Sequence, residues 1–227
     1  MPLPINPITP LLSRFRRLSR GEKTNWGVLF ALMALLLFVL VALWLYVYLK
    51  SLERPYYELK GYRVADQRSL TAFLRREHNR TQLAQLADFL ERAGVGDVTP
   101  AANLLRQGPD WLDIEEPPFA LPPQDQWRNM VATLAMVRDR VQPAVGPVEI
   151  VSAYRSDSYN QKAGGANGRA HQTFCALDLV PQSNISRKEL IEELRSLHAR
   201  LGPESNFGLG VYSDVRFHVD TCGYRSW

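Results

Sequence analysis

Phe174-Cys175-Ala176-Leu177-Asp178-Leu179-Val180-Pro181 and Phe217-His218-Val219-Asp220 are the two stretches that decide the fold. Side chains alternate across a strand, so Ala176 and Asp178 take one face of the first stretch while Leu177 and Leu179 take the other. In the second, His218 and Asp220 share a face, with Phe217 and Val219 packing behind. Asp is disfavoured in strands and costly to bury without a partner, so its place among apolar neighbours calls for one. If the two strands are neighbours, Asp178 and His218 project together. His171 then closes the set from the loop Ala163-Gly164-Gly165-Ala166-Asn167-Gly168. Two imidazoles and one carboxylate form a three-ligand set for one Zn2+ ion, with a fourth position open to water. His78 and His198 sit in or beside helices without such partners and read as ordinary surface or core residues.

Outward from these strands the pattern changes twice. Upstream, Val148 to Tyr154 is a strand, Asp157 to Lys162 a short helix, and Asp125 to Val141 an amphipathic helix. One face of that long helix carries Trp127, Met130, Val131, Leu134, Val137 and Val141, spaced as core residues. Further back, Ser69–Arg76 and Thr81–Ala93 read as helices, followed by a short helix from Thr99-Pro100 to Gln107 and an acidic, proline-rich loop over Pro109–Pro123. Downstream, Ser186 to Leu201 is a helix with a Ser186/Glu189 capping box and Gly202 after its end. Asn206–Tyr212 and Val215–Thr221 form a strand pair around Ser213-Asp214. Helices first and strands later predict an α+β fold: a small antiparallel sheet with flanking helices.

The N-terminus is of another kind. Asn25 to Leu49 contains no charged residue. At about 1.5 Å per residue such a helix crosses a hydrocarbon core of about 30 Å. Trp26 at one end and Trp44, Tyr46 and Tyr48 at the other are interfacial aromatics. Arg14, Arg16, Arg17, Arg20 and Lys23 precede it against one acid, Glu22, whereas the following flank is mixed. The positive-inside rule puts the N-terminus in the cytoplasm. The apolar run is too long for a cleaved signal peptide, and no small-x-small site follows it. The expected organisation is a basic, irregular cytoplasmic tail over 1–24, a signal-anchor helix over 25–49 and a linker over 50–63. An extracytoplasmic domain over 64–227 follows, its motifs concentrated in 148–227.

Charge agrees with that division. The formal +4 of the chain resides in residues 1–24, whereas residues 61–227 hold 19 basic and 20 acidic side chains. The basic balance is a topology signal, and no basic stripe with interleaved aromatics points to nucleic acid. An exported domain could oxidise Cys175 and Cys222. By strand parity Cys175 is out of phase with Asp178, which favours two free buried thiols over a disulfide. Cysteine is not needed as a metal ligand, because the His/Asp donors already complete an open site.

Arg155 ends the strand Ser152-Ala153-Tyr154. It could grip a substrate carboxylate through paired hydrogen bonds, or form an ordinary salt bridge to Asp157 or Asp178. The ordered string Ser152-Ala-Tyr154-Arg155-Ser…Tyr159-Asn160…Gly164-Gly165-Ala166…His171-x-x-Phe-x-Ala-x-Asp178…Gly208-Leu-Gly210-x-Tyr212…Phe217-His218-Val219-Asp220…Gly223-Tyr-Arg-Ser-Trp227 resembles the zinc D-Ala-D-Ala carboxypeptidase family. That family has the Hedgehog/DD-peptidase fold, and the likeness covers about residues 148–227. The resemblance implies that His171, Asp178 and His218 are zinc ligands and that Arg155, with Ser152 and Tyr154 beside it, positions substrate. Taken together with the signal-anchor helix and its flanking charges, it implies a membrane-anchored zinc peptidase, single-pass in the bacterial inner membrane and facing the periplasm. Its substrates would be peptidoglycan stem peptides, cut at D-Ala–D-Ala, at a cross-link or at L-Ala–D-Glu. Two positions depart from the family pattern. Arg169 stands where many members have Ser, and Val215 where many have the acidic catalytic base. Asp220, beyond His218 on the same face, and Asp214, one position off, are the candidate bases; Asp220 could equally orient a ligand imidazole. Val215 also admits a non-catalytic zinc domain that binds peptidoglycan or a partner. A purely structural membrane subunit would hold no metal.

Overall fold

The computed structural model describes residues 9–51, 54–165 and 170–227. The chain divides into two units, Met1–Arg54 and Pro55–Trp227. In the first unit the described residues 9–51 form one helix, α1 (Thr9–Ser51). Its segment Trp26–Lys50, with a mean hydropathy of 3.1 and no buried residue, is long and apolar enough to cross a membrane. Residues 9–24, expected as an irregular tail, continue the same helix; Met1–Pro7 and Ile8 lie outside the described residues.

The second unit is α+β. It opens with a hairpin, β1 (Tyr56–Leu59) and β2 (Tyr62–Ala65), most of which falls in the stretch 50–63 expected as linker. Lys60 and Gly61 between the strands both have positive φ, 49° and 86°, the conformation of a two-residue primed turn whose twist suits a hairpin. Helices α2 (Gln67–Phe73) and α3 (Glu77–Arg92) follow, and Asp66 caps the first through Ser69 N–H. The predicted amphipathic helix is broken into pieces: α4 (Trp127–Met136), a π-helical turn Val137–Val141, and α5 (Gln142–Val145). Pro143 explains the break. It offers no N–H, and its ring crowds the carbonyl four residues back, so the helix widens before it. The expected apolar face is buried at Trp127, Met130, Leu134, Val137 and Val141 and half-buried at Val131.

Five strands form the main sheet, in the order β3 (Val148–Ser152), β4 (Ala176–Pro181), β6 (Phe217–Asp220), β5 (Gly208–Val211), β7 (Arg225–Ser226). All pairs are antiparallel except β5 with β7. Helix α6 (Asp157–Lys162) follows β3, and α7 (Arg187–Leu201) carries the predicted Ser186/Glu189 capping box. Leu177, Leu179, Phe217 and Val219 join Met130, Leu134, Leu190 and Leu194 in the main core. Val64 of the hairpin packs with Val151 and Val180 in a second cluster, joined by half-buried Tyr62 and Val215.

The register sets the site. Ser152, Asp178, His218 and Gly210 lie opposite one another in a row across four strands, and Ala176, Asp220, Gly208 and Arg225 form the next row on that face. Cys175 and Cys222 form a disulfide, with Cα atoms 6.3 Å apart, which corrects the expectation of two free thiols. Parity misled because both cysteines lie just beyond their strand ends, where backbone alternation no longer constrains side-chain direction.

Candidate metal centre

Asp178 sits in the middle of the sheet and is fully buried. His218 is its direct cross-strand partner, and His171 reaches in from the turn before β4. That turn is held by Phe174 N–H on the His171 carbonyl and by Cys175 N–H on the Ala170 carbonyl. It also requires buried Phe174 to adopt a positive φ of 53°, an uncommon conformation for a bulky residue. Three atoms then converge: His171 Nε2, Asp178 Oδ1 and His218 Nδ1, separated by 3.2, 3.2 and 3.1 Å. A triangle of that edge is one face of a tetrahedron whose centre lies about 2 Å from each corner, the length of zinc–nitrogen and zinc–oxygen bonds.

The outer partners of the rings determine what faces inward. His171 Nδ1 lies 2.7 Å from the Ala153 carbonyl, which can only accept, so the proton sits on Nδ1 and Nε2 presents a lone pair. His218 Nε2 lies 2.9 Å from Asp220 Oδ2, so its proton sits there and Nδ1 presents a lone pair. Asp178 Oδ1 adds a third. Three lone pairs aimed at one point repel one another unless a cation lies between them, so this donor set fits zinc. Protonation states agree in part. Burial, with the Arg155 charge beside it, pushes His171 down to about 4, so the ring is neutral at pH 7. Burial opposes the Asp178 charge, but the contacts with His171, the Arg155 guanidinium and the His218 ring outweigh it and hold the carboxyl well below its ordinary value. Burial likewise opposes protonation of His218, yet hydrogen bonds to Asp178 and Asp220 leave it raised. A proton and a metal ion therefore compete for His218 Nδ1.

The surrounding groups hold these donors in place. Asp220, fully buried, accepts from His218 Nε2, from Cys222 N–H at 2.9 Å and from Arg225 Nη2 at 2.8 Å. Arg155 donates through Nη2 to Asp178 Oδ2 and through Nε to the Gln107 carbonyl and Ser152 Oγ. Tyr212 donates its hydroxyl to Asp178 Oδ1 at 3.2 Å. A cavity of about 310 Å³ opens beside the trio, lined among others by Arg155, His171, His218, Tyr212, Arg216 and Trp227. The Trp227 ring leans over His218, with centroids 5.1 Å apart.

Several sequence candidates lie elsewhere. Ser152 is fully buried behind Arg155 and donates to the Gln107 carbonyl, and Tyr154 packs edge-on against Phe174; neither lines the cavity. Asp214 is exposed in the β5–β6 turn, also outside the cavity lining. Arg169, together with Ala166–Gly168, lies outside the described residues. A second group of donors, Cys175, Asp220 and Cys222, lies close together, but its sulfurs are joined to each other. The sequence pattern gave no site role to Arg216, nor to Tyr212, Arg225 and Trp227, although the last three stand in the motif string. Their signal was the strand parity that Arg216 shares with His218, and the aromatic and basic end of the chain.

Residues 113–220 match the Peptidase M15 family. The matched segment contains His171, Asp178, His218 and Asp220, and the match bears out the resemblance to zinc D-Ala-D-Ala carboxypeptidase-type proteins. M15 peptidases are zinc-dependent, which agrees with the donor set. No curated protein and no solved structure matches the chain.

Proposed function

We propose that this protein is a membrane-anchored zinc metallopeptidase that cleaves peptidoglycan stem peptides, of D,D-carboxypeptidase or endopeptidase type. The observation that carries the reading is the convergence of three lone pairs, from His171, Asp178 and His218, beside a cavity in an M15 segment. Trp26–Lys50 is the single-pass anchor in the bacterial inner membrane. The basic residues before it favour a cytoplasmic N-terminus and a periplasmic site beside the cell wall.

His171, Asp178 and His218 would hold the ion. Zinc bound there would lower the pKa of a water and polarise a scissile carbonyl. Asp220 keeps the His218 proton on Nε2 and so keeps Nδ1 facing the ion. Arg155 holds the second Asp178 oxygen, the salt bridge that its position allowed, while also lining the cavity. Tyr212 is placed to donate to Asp178 or to a developing oxyanion beside it. Asp220 already accepts from three donors, so we assign it ligand orientation over proton transfer; Asp214 would need the β5–β6 turn to move.

That assignment, with Val215 in place of an acid, favours a second reading: a non-catalytic zinc domain that binds peptidoglycan peptides. Purified muropeptides incubated with the zinc-loaded full chain, and with chelator-treated protein as control, separate the two. Metal-dependent release of D-alanine or of cleaved stem peptides is expected. No product at full zinc occupancy would rule out the peptidase. Absence of stoichiometric zinc after metal loading would rule out both.

A further inference from the structure

Among the described residues, three guanidinium groups line the metal cavity, and two of them are engaged. Arg155 donates to Asp178, Gln107 and Ser152, and Arg225 donates to Asp220 and to the Gly223 carbonyl. Arg216 differs. Among the described residues its guanidinium makes no hydrogen bond, and its buried Nε has no partner. Its closest carboxylate oxygen, Asp110 Oδ2, lies 4.0 Å from Nη1, at the outer limit of an ion pair. Stacking holds it instead: its Cζ lies 4.2 Å from the centroid of the Tyr212 ring and 5.3 Å from that of Tyr62. Its own carbonyl is fixed by Tyr212 N–H. Stacking fixes the plane of a guanidinium and leaves its in-plane N–H groups free, the arrangement that suits a planar carboxylate. The same Tyr212 hydroxyl touches Asp178, so one tyrosine ring separates this cation from the metal donors.

We propose that Arg216, braced between Tyr212 and Tyr62, is the carboxylate receptor of the metal cleft and selects ligands with a free carboxylate close to the metal-bound carbonyl. Asp110, which also lines the cavity, is the carboxylate that a ligand displaces. The proposal deepens the peptidase reading by naming what the cleft recognises, but it is tested by binding and does not require turnover.

The experiment is calorimetric titration of the zinc-loaded full chain in detergent micelles. The probes are Nα,Nε-diacetyl-L-lysyl-D-alanyl-D-alanine and the same peptide as its C-terminal amide. The acid should bind about tenfold tighter or more, the range of a charge-assisted bidentate pair. Arg216→Met should bring acid and amide to within about twofold of each other, with zinc content unchanged. Asp110→Asn should tighten the acid by a few-fold and leave the amide as it was. Should Arg216→Met fail to fold, the Asp110→Asn comparison and Arg216→Lys, expected to keep only part of the preference, decide the matter. Equal binding of acid and amide by the wild type, or an acid preference that survives Arg216→Met, overturns the proposal. An equal effect of Asp110→Asn on both probes does the same. Hydrolysis is scored separately: a wild type that binds the acid selectively but releases no D-alanine keeps the receptor and loses the peptidase.

Discussion

Asp220→Asn tests whether the outer carboxylate determines how His218 presents itself. The native carboxylate accepts three hydrogen bonds in a fully buried place, from His218, Cys222 and Arg225. Asparagine has nearly the same shape, but only one accepting oxygen and an NH2 group. Whichever way the amide turns, a donor faces a donor, either the Arg225 guanidinium and His218 Nε2–H or the Cys222 N–H. The imidazole can relieve the clash by moving its proton to Nδ1, which removes the lone pair aimed at the metal. Loss of such an outer partner weakens metal binding by about 10- to 100-fold, or about 1.4–2.7 kcal/mol. Zinc affinity measured by competition with a chromophoric chelator checks this, with disulfide content and thermal unfolding as controls for folding. A variant that is folded and binds zinc as tightly as the wild type would refute the tautomer argument and leave Asp220 as packing only.

Three further outcomes follow from the same geometry. Replacing Cys175 and Cys222 by serine releases a loop spanning 47 positions, and chain entropy puts the loss at about 4 kcal/mol; a denaturant midpoint that does not move would contradict it. Arg155→Met leaves the fully buried Asp178 Oδ2 without its cation, so the metal-free protein should lose about 3–5 kcal/mol, read by thermal unfolding after chelation. In the metal-stripped protein the fold favours neutral His171, whose folded value of about 4 lies below its ordinary 6.5. Its contribution is complete above about pH 6.5 and is lost as pH falls towards 4, by up to about 3 kcal/mol. His218, raised, acts in the opposite sense, so the test is the difference: His171→Gln should flatten the acid limb of the stability curve, and an unchanged limb would count against it.

Much of the centre was legible because a strand repeats every two residues. That period placed Asp178 with Ala176 and His218 with Asp220, and burial of an aspartate among apolar neighbours demanded a partner. The three-ligand convergence needed only that the two strands be adjacent, as they are. Where features were missed, the deciding contact was non-local or the local signal weak. Lys60-Gly61 is a less familiar turn pair than Asn-Gly, so Tyr56–Arg63 read as linker. The two-residue strand Arg225–Ser226 is too short to show any period, yet it brings Arg225 to Asp220 and Trp227 to His218. Arg155 carried two readings that only tertiary distance could separate. The disulfide lay past the strand ends, where parity has no authority. Pro143 was visible, but its effect on the preceding turn depends on helix geometry already being in place.

Strand β5 contributes no donor to the centre, yet its two glycines are the sockets into which the centre fits. A methyl group on Gly208 would collide with the Asp220 carboxylate, and one on Gly210 would meet the Trp227 ring at 2.6 Å. Over evolutionary drift each glycine is therefore tied to a side chain far from it in sequence. Gly208 could gain a side chain only where position 220 has lost its carboxylate, and Gly210 only where the Trp227 indole has shrunk or swung aside. Related chains should show positions 208 and 220 changing together or not at all, so that an alanine at 208 marks a site already dismantled.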